Sequence, residues 1–371
     1  MKILFVATVV KTHIMEFHIP YLKMLKEAGW ETAVAARNDY EDPKDCVIPY
    51  CDKYYDIAFE RNPFKLGNVK AVKALKNIID SGDYDIVHCH TPVGAVLGRM
   101  ASKDARKKGT KVFYTAHGFH FYKGAPLLNW LVYYPVEKHF ARKTDVLVTI
   151  TKEDFVRAFA KFKAGKVVYL PGIGVDTSRF CGIDETVGLE LKSSLGIPAD
   201  SKVLLSVGEF TANKNQRLVI EALPSLPSVY YVLCGRGELM ESLKALAVRL
   251  GVSNRTMFVG YRDDVEAFYS MADVFVFPSF REGLPVALME AMASGLPCVA
   301  SKNRGTDDLM SGSSLLFDAS DKAGLISKLE LALSSDLSSE VERNLERIKS
   351  FDISNSLALM KSYYTEAVNH E

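Results

Sequence analysis

Continuously apolar runs alternate along the chain with longer segments in which apolar residues recur every three or four positions. Ile3–Val9, Thr32–Ala36, Ile86–Cys89, Lys111–Thr115, Val146–Ile150 and Val167–Leu170 read as strands. Their unbroken apolarity is that of strands covered on both faces in a parallel sheet. Between them, Ile19–Ala28, Val69–Ser81, Gly94–Lys107 and Lys152–Lys161 carry the helical period. Pro171-Gly172-Ile173-Gly174-Val175-Asp176 then breaks both periods, as a linker does. The pattern restarts with strands at Val203–Val207, Tyr230–Cys234, Thr256–Val259, Val274–Pro278 and Cys298–Ala300. Asn215–Leu223, Leu239–Leu250, Asp264–Met271 and Leu284–Ser294 read as the helices between these. Two βαβ series in one chain predict a two-domain α/β protein whose ligands sit beyond the carboxyl ends of the strands. The expected divisions are residues 1–172, residues 173–350, and a C-terminal helix over 351–371 packing back toward the N-terminal domain.

Composition changes this picture little. With 371 residues, 48% hydrophobic and 25% charged, the chain can bury two cores, and disordered, collagenous and disulfide-scaffold classes are excluded. Charge adds more. The net +1 hides +9 on residues 1–175 and −8 on residues 176–371, which points to an anionic partner on the N-terminal side. The six cysteines form no C-x-x-C pair, as in a reducing, cytoplasmic setting. The apolar start Met1–Val10 is followed by Lys11 and His13 with no A-x-A site, so it reads as a buried strand rather than a signal peptide. No apolar stretch approaches the roughly 18 residues of a membrane span. Asp83-Tyr84-Asp85 has D-x-D spacing but precedes its strand, at the wrong end of a sheet for a ligand. No metal site is expected elsewhere. His88 and His90 share a strand face, but no further Cys/His cluster along the chain supplies the three or four ligands zinc needs.

The most informative segment is Phe280-Arg281-Glu282-Gly283-Leu284-Pro285 through Glu290-Ala291 to Gly295-Leu296-Pro297. A buried strand ends at Pro278, a loop carries Glu282, and Gly283 permits close backbone approach. Pro285 suits the first turn of a helix, which Gly295 and Pro297 stop. A helix start beyond a strand's carboxyl end favours phosphate. Glu282 and Glu290 are poor phosphate ligands but good acceptors for sugar hydroxyls, although either alone also fits an ordinary surface carboxylate.

Glu282 and Glu290, eight apart within E-G-x-P-x-x-x-x-E-A-x-A-x-G-x-P, resemble the E-x7-E motif of glycosyltransferase family 4. The resemblance extends to Pro171–Asp176, Ser206-Val207-Gly208…Lys214-Asn215 and Val259-Gly260-Tyr261. In the N-terminal half, His13-Ile14…Phe17-His18-Ile19-Pro20 and Thr115-Ala116-His117-Gly118-Phe119-His120 are similar to the capsule and exopolysaccharide branch. The resemblance implies a GT-B fold, two Rossmann-like βαβ domains facing each other across a cleft, with the acceptor side N-terminal and the donor side C-terminal. It implies a retaining, metal-independent hexosyl- or N-acetylhexosaminyltransferase that uses a nucleotide sugar, UDP-linked in the first instance, and no cofactor. A lipid-diphosphate-linked saccharide is the fitting glycan acceptor. By the same resemblance Glu290 would hold the donor ribose, Glu282 the transferred sugar, and the backbone of Gly283 and Leu284 the β-phosphate. Lys214 would neutralise the departing diphosphate, and His117 would contact the donor sugar. Gly208, Gly235, Tyr261 and Arg262, in loops after strands, fall to the nucleotide, and His13 and His120 to the acceptor side. There are two departures. Glu209 stands where the family usually has Arg, removing a phosphate cation for which Arg281 and a residue of the N-terminal half are the alternative replacements, and Val10–Glu16 lacks the usual glycines.

The basic half also contains Leu127-Leu128-Asn129-Trp130-Leu131-Val132-Tyr133-Tyr134-Pro135 among Lys103, Arg106, Lys107, Lys108, Lys123 and Lys138. Cations interleaved with Trp and Tyr suit an anionic membrane surface, which would place the protein peripherally on the inner face of the plasma membrane; a solvated face over a core helix fits the pattern too. Nucleic acid is not expected, since no binding motif is present. Two other functions share these features: a nucleotide-sugar 2-epimerase, and a non-catalytic sugar-nucleotide-binding partner of another transferase.

Overall fold

The computed structural model describes residues 1–60, 62 and 65–369. The chain forms two units, the first made of Met1–Ile173 with the C-terminal segment from Ser354, the second of Gly174–Ile353. The first is built on β1 (Lys2–Val9), β2 (Glu31–Arg37), β3 (Lys53–Asp56), β4 (Ile86–Cys89), β5 (Lys111–Ala116), β6 (Val146–Thr149) and β7 (Lys166–Tyr169). These lie in the order β3-β2-β1-β4-β5-β6-β7, every pairing parallel. Helices α1 (Ile19–Glu27), α2 (Gly67–Gly82), α3 (Pro92–Ala101), α4 (Leu127–Ala141) and α5 (Lys152–Lys161) belong to it. Alternate residues of each strand enter different cores. Leu4, Val6, Val87 and Cys89 pack with Leu75 and Ala95 on one face. Ile3, Phe5, Ile86 and Phe113 pack with Leu22, Met360 and Tyr364 on the other. Covering both faces is what the continuously apolar strands require.

Met360 and Tyr364 come from the C-terminal helix Ile353–Asn369, whose Lys166–Glu366 ion pair further ties it to β7. Residues 370 and 371 of the expected terminal helix lie outside the described residues. The D-x-D spacing proves structural: Asp83 ends α2 with φ +48, and Asp85 Oδ2 accepts the Lys2 amide at 2.6 Å. The single helix expected over 94–107 is divided at Ser102, whose hydroxyl donates to the Gly98 carbonyl at 2.8 Å. β3 escaped the sequence reading because Lys53-Tyr54-Tyr55-Asp56 is a short edge strand with charged ends, as edges commonly are.

The second unit contains β8 (Lys202–Val207), β9 (Val229–Cys234), β10 (Thr256–Gly260), β11 (Val274–Phe277), β12 (Cys298–Ser301) and β13 (Leu316–Phe317), in the order β10-β9-β8-β11-β12-β13. Its pairings are also parallel. The helices that matter for the site are α6 (Gln216–Ala222), α7 (Val265–Met271), α8 (Val286–Ala293) and α9 (Arg304–Met310). Pro285 occupies the N-cap of α8 in extended conformation rather than its first turn, and Gly295 (φ +73) follows the C-cap. No helix of the described residues is long and apolar enough to cross a membrane.

One buried ion pair ties α4 to α3. Arg99, 1% exposed, donates from Nη2 to Glu137 Oε2 at 3.0 Å and from Nε to the Ala95 carbonyl at 2.9 Å. Tyr114 donates to the other Glu137 oxygen at 3.0 Å and lies 4.2 Å below the guanidinium. Both carboxylate oxygens are thus satisfied, while Arg99 Nη1 is buried with no hydrogen-bond partner among the described residues.

Candidate active site

Strand order in the second sheet reverses between β8 and β11, the switch point at which open parallel sheets hold ligands. The loops leaving those two strands bring Lys214 and Glu282 together, Nζ to Oε1 at 2.9 Å. Lys214 Nζ also stands 5.2 Å from the Phe277 ring centroid. Asn215 directly after it adopts a left-handed backbone (φ +55), which Asn tolerates, and its Nδ2 donates to the carbonyls of Pro278 and Ala319. The Glu282 loop is pinned from both sides. Asn213 Nδ2 donates to the Arg281 carbonyl at 2.8 Å, and Arg304 Nε to the Glu282 carbonyl at 3.1 Å.

Two glycines allow backbones to meet here. A Cβ on Gly305 would lie 1.9 Å from the Gly283 carbonyl oxygen, and one on Gly235 the same distance from that of Gly208. Gly235 also donates to the Gly260 carbonyl at 2.7 Å, and Gly208 to that of Cys234 at 2.9 Å. Lys214, Glu282, Gly208, Gly235, Gly283 and Leu284 therefore stand at the carboxyl edge of one sheet. Glu290 points from α8 to Tyr269 of α7, whose hydroxyl donates to Oε2 at 2.8 Å. Burial raises the Glu290 pKa, and the Tyr269 hydrogen bond works against that rise. Tyr261 is half exposed, with the Arg236 guanidinium 4.7 Å over its ring. Arg262 is engaged by Asp264 through two bonds, at 2.8 and 2.6 Å. Glu209 is exposed, and its carbonyl accepts from Gln216 Nε2.

Sequence reading missed Asn213, Arg236 over Tyr261, and Arg304. Arg304 had a signal. It follows β12 at the start of a helix capped by Asn303, in the same kind of post-strand loop as the residues that were singled out.

The switch point of the first sheet lies between β1 and β4 and gathers histidines. His13 lies in the wide helical turn Val10–Met15 after β1, His18 just before α1, His90 after β4 and His117 after β5. One ring nitrogen from each lies within 4.8 Å of the others. His13 Nε2 and His18 Nε2 are 3.2 Å apart, and His90 Nδ1 and His117 Nε2 are 3.4 Å apart. His88 lies behind His90 with ring centroids 4.0 Å apart and the rings tilted, its own nitrogens against Tyr364 Oη and Thr115 Oγ1. Burial pushes the His117 imidazole down to about 4 and His88 to about 3. It also holds His13, His18 and His90 well below the usual range, with neighbouring imidazoles adding to the effect. All five rings are therefore neutral at pH 7.

This corrects the expectation that nothing joins His88 and His90. The partners are distant in sequence, and the adjacency of β1, β4 and β5 in the sheet brings their loops together. Thr91, right after His90, has φ +60, a strained conformation for a β-branched residue of the kind that clusters at functional sites. His120 lies outside the group, stacked on Tyr133 at 4.5 Å.

Both halves of the chain match known family models. Residues 2–151 match the family "Glycosyl transferase 4-like" and residues 189–349 match "Glycosyl transferases group 1". A Bacillus subtilis protein, "Putative glycosyltransferase EpsD", is 43% identical over 83% of this chain and 81% of its own length. The Escherichia coli UDP-Gal:alpha-D-GlcNAc-diphosphoundecaprenol alpha-1,3-galactosyltransferase is 32% identical over 67% of this chain and 66% of its own. Among solved structures, Anabaena Alr3699/HepE in complex with UDP and glucose superposes with TM-score 0.80 at 19% identity, covering 99% of this chain and 100% of that one. Sucrose-phosphate synthase from Thermosynechococcus elongatus gives 0.81 at 20% identity over 98% of both chains. At such identities the structures speak for fold alone. With two parallel-sheet Rossmann-like units and both halves matched, the chain belongs to the family-4-like, group 1 glycosyltransferases of GT-B fold.

Proposed function

We propose that this glycosyltransferase moves a hexosyl or N-acetylhexosaminyl group, with retention, from a UDP-sugar to a lipid-diphosphate-linked saccharide in exopolysaccharide synthesis. The observation that carries the reading is the Lys214–Glu282 pair at the switch point of the second sheet, with Glu290 on the helix beginning just beyond it. One relative supports the donor and acceptor classes: by its name, the Escherichia coli galactosyltransferase takes UDP-Gal and acts on a diphosphoundecaprenol-linked GlcNAc.

Breaking the bond between sugar C1 and phosphate leaves positive charge on the sugar and negative charge on the diphosphate, so catalysis needs cationic groups at the leaving oxygen. Without donor, Lys214 and Glu282 partner each other. With donor, the diphosphate takes the Lys214 ammonium and the sugar hydroxyls take the Glu282 oxygens, so neither half-buried charge is left alone. The N-terminus of α8 adds backbone N–H donors. Glu290, one oxygen steadied by Tyr269, accepts the ribose hydroxyls, and His117 keeps the sugar-positioning role. In same-face substitution the C1–phosphate bond breaks, the C1–acceptor oxygen bond forms, and the acceptor proton passes to the departing phosphate. Retention then needs no covalent nucleophile, and no step of this route passes through a metal ion.

A thermal-shift panel of nucleotide sugars tests the donor. UDP-sugars should raise the unfolding temperature, a ligand at 100 times its Kd adding about 2.7 kcal/mol, and GDP- and ADP-sugars should not. Equal shifts, or none, would remove the UDP assignment.

Glu290→Ala is expected to weaken UDP-sugar binding by about 1–3 kcal/mol in calorimetry, the cost of leaving a buried hydroxyl without its partner. Burial raises this carboxyl's pKa, and only the ionised form can accept from both ribose hydroxyls. Affinity should therefore fall on acidification from above the ordinary carboxylate range, and Glu290→Gln should flatten that dependence. Unchanged affinity in the Ala variant takes Glu290 out of the ribose role.

The exposed surface of α4 supports membrane docking. Leu127, Leu128 and Leu131 are 73%, 69% and 66% exposed, while Trp130, Tyr134 and Glu137 face inward, and Val156 and Phe159 of α5 are exposed as well. Soluble surfaces rarely display such a group without a partner. Of the basic residues, Arg106 is held by Asp145 and Lys107 by Asp104, so variants of the leucines are the cleaner probe. The protein should sediment with anionic vesicles at low salt and be released as salt shortens the screening length below about 8 Å. Leu128→Ser with Leu131→Ser should weaken binding at every salt concentration. Indifference to anionic vesicles at low salt would make a soluble acceptor the better reading.

A further inference from the structure

We propose that His13, His18, His90 and His117 form a tetrahedral site for a borderline-soft transition-metal ion, zinc in the first instance. A tetrahedral zinc ion with bonds of about 2.0–2.1 Å to imidazole sets its ligand nitrogens roughly 3.3–3.4 Å apart. Two edges of that figure already exist, at 3.2 Å (His13–His18) and 3.4 Å (His90–His117). All four nitrogens lie within 4.8 Å of one another, so side-chain shifts of about an ångström complete it.

The chemistry of the donor set agrees. Four imidazoles without a carboxylate suit zinc, copper, nickel or cobalt, and are wrong for magnesium or calcium. The contrast with His88 separates ligands from packing. His88 has a hydroxyl partner for each nitrogen, the arrangement of a structural histidine. The other four turn nitrogens toward one another, where each close pair can share at most one proton. The four come from three loops at the carboxyl ends of β1, β4 and β5, so a bound ion would cross-link loops that nothing in sequence connects. His117 also carries the sugar-positioning role proposed above, so the test counts metal on the protein without substrate, and its failure leaves the transferase reading standing.

The experiment takes the full chain, strips it with a chelator, reloads it with zinc, removes free ion by gel filtration and measures bound metal by plasma mass spectrometry. Cobalt loading gives the geometry from its visible spectrum. One zinc per chain and a tetrahedral cobalt spectrum are expected. His13→Asn and His117→Asn should each weaken binding by at least about tenfold, while His120→Asn binds as the parent does. Circular dichroism and melting of the metal-free variants show that folding is retained. Less than about a tenth of a zinc per chain, an octahedral cobalt spectrum, or stoichiometric zinc that survives both substitutions would overturn the proposal.

Discussion

Glu137→Ala should lower the stability of the N-terminal unit by about 3–5 kcal/mol, because it leaves the Arg99 guanidinium buried without its counter-charge. Arg99 is 1% exposed, and Glu137 also accepts from Tyr114, so the substitution strands a cation and a hydroxyl together. Against a typical total of about 5–15 kcal/mol, that is a large share. Both tryptophans, Trp30 and Trp130, lie in this unit, so tryptophan fluorescence during urea unfolding reports on it alone. The double variant Arg99→Met, Glu137→Leu should recover most of the loss, since apolar replacements of a buried pair are often neutral. A single substitution costing under about 1 kcal/mol would show that the pair does not hold α4 in place.

Lys214→Ala should reduce kcat by about 10²–10³-fold, the usual effect of removing one group aimed at developing negative charge. Donor affinity should fall much less, because the charge on the diphosphate oxygen that meets Lys214 grows as the bond breaks. Lys214→Arg should be intermediate, a guanidinium keeping the charge but not the point geometry. Pre-steady-state turnover together with equilibrium binding of the UDP-sugar separates the two effects. Equal, modest losses in both would make Lys214 a binding residue only.

Most of the architecture was legible from periodicity, because strands buried on both faces carry an unbroken apolar signal. Lys152–Lys161 coincides with α5, and the strand runs fall within a residue or two of those observed. The strands that were missed are short and at an edge, as with Lys53–Asp56 and the two-residue β13, and the helices Glu185–Ser194, Lys322–Ser334 and Ser338–Ile348 were not read either. The Glu282–Glu290 spacing was legible because both sit in one continuous loop and helix. Lys214 was placed beside Glu282 only by strand order, since the two stand 68 positions apart and meet across the switch point. The four-histidine group was invisible for the same reason: its members span more than a hundred residues and converge only because β1, β4 and β5 are neighbours. Arg262 has a partner that its position did not reveal. Its position after β10 was read correctly, but Asp264, two residues on, takes its guanidinium.

The transferase claim is tested most directly by following UDP-sugar consumption with and without a saccharide–diphospholipid acceptor, with the products resolved by mass spectrometry and NMR. The account predicts UDP release and an acceptor lengthened by one sugar, its anomeric configuration that of the donor, only when acceptor is present. Isomerised donor in the absence of acceptor, or donor that binds but is not consumed with any acceptor, would contradict it.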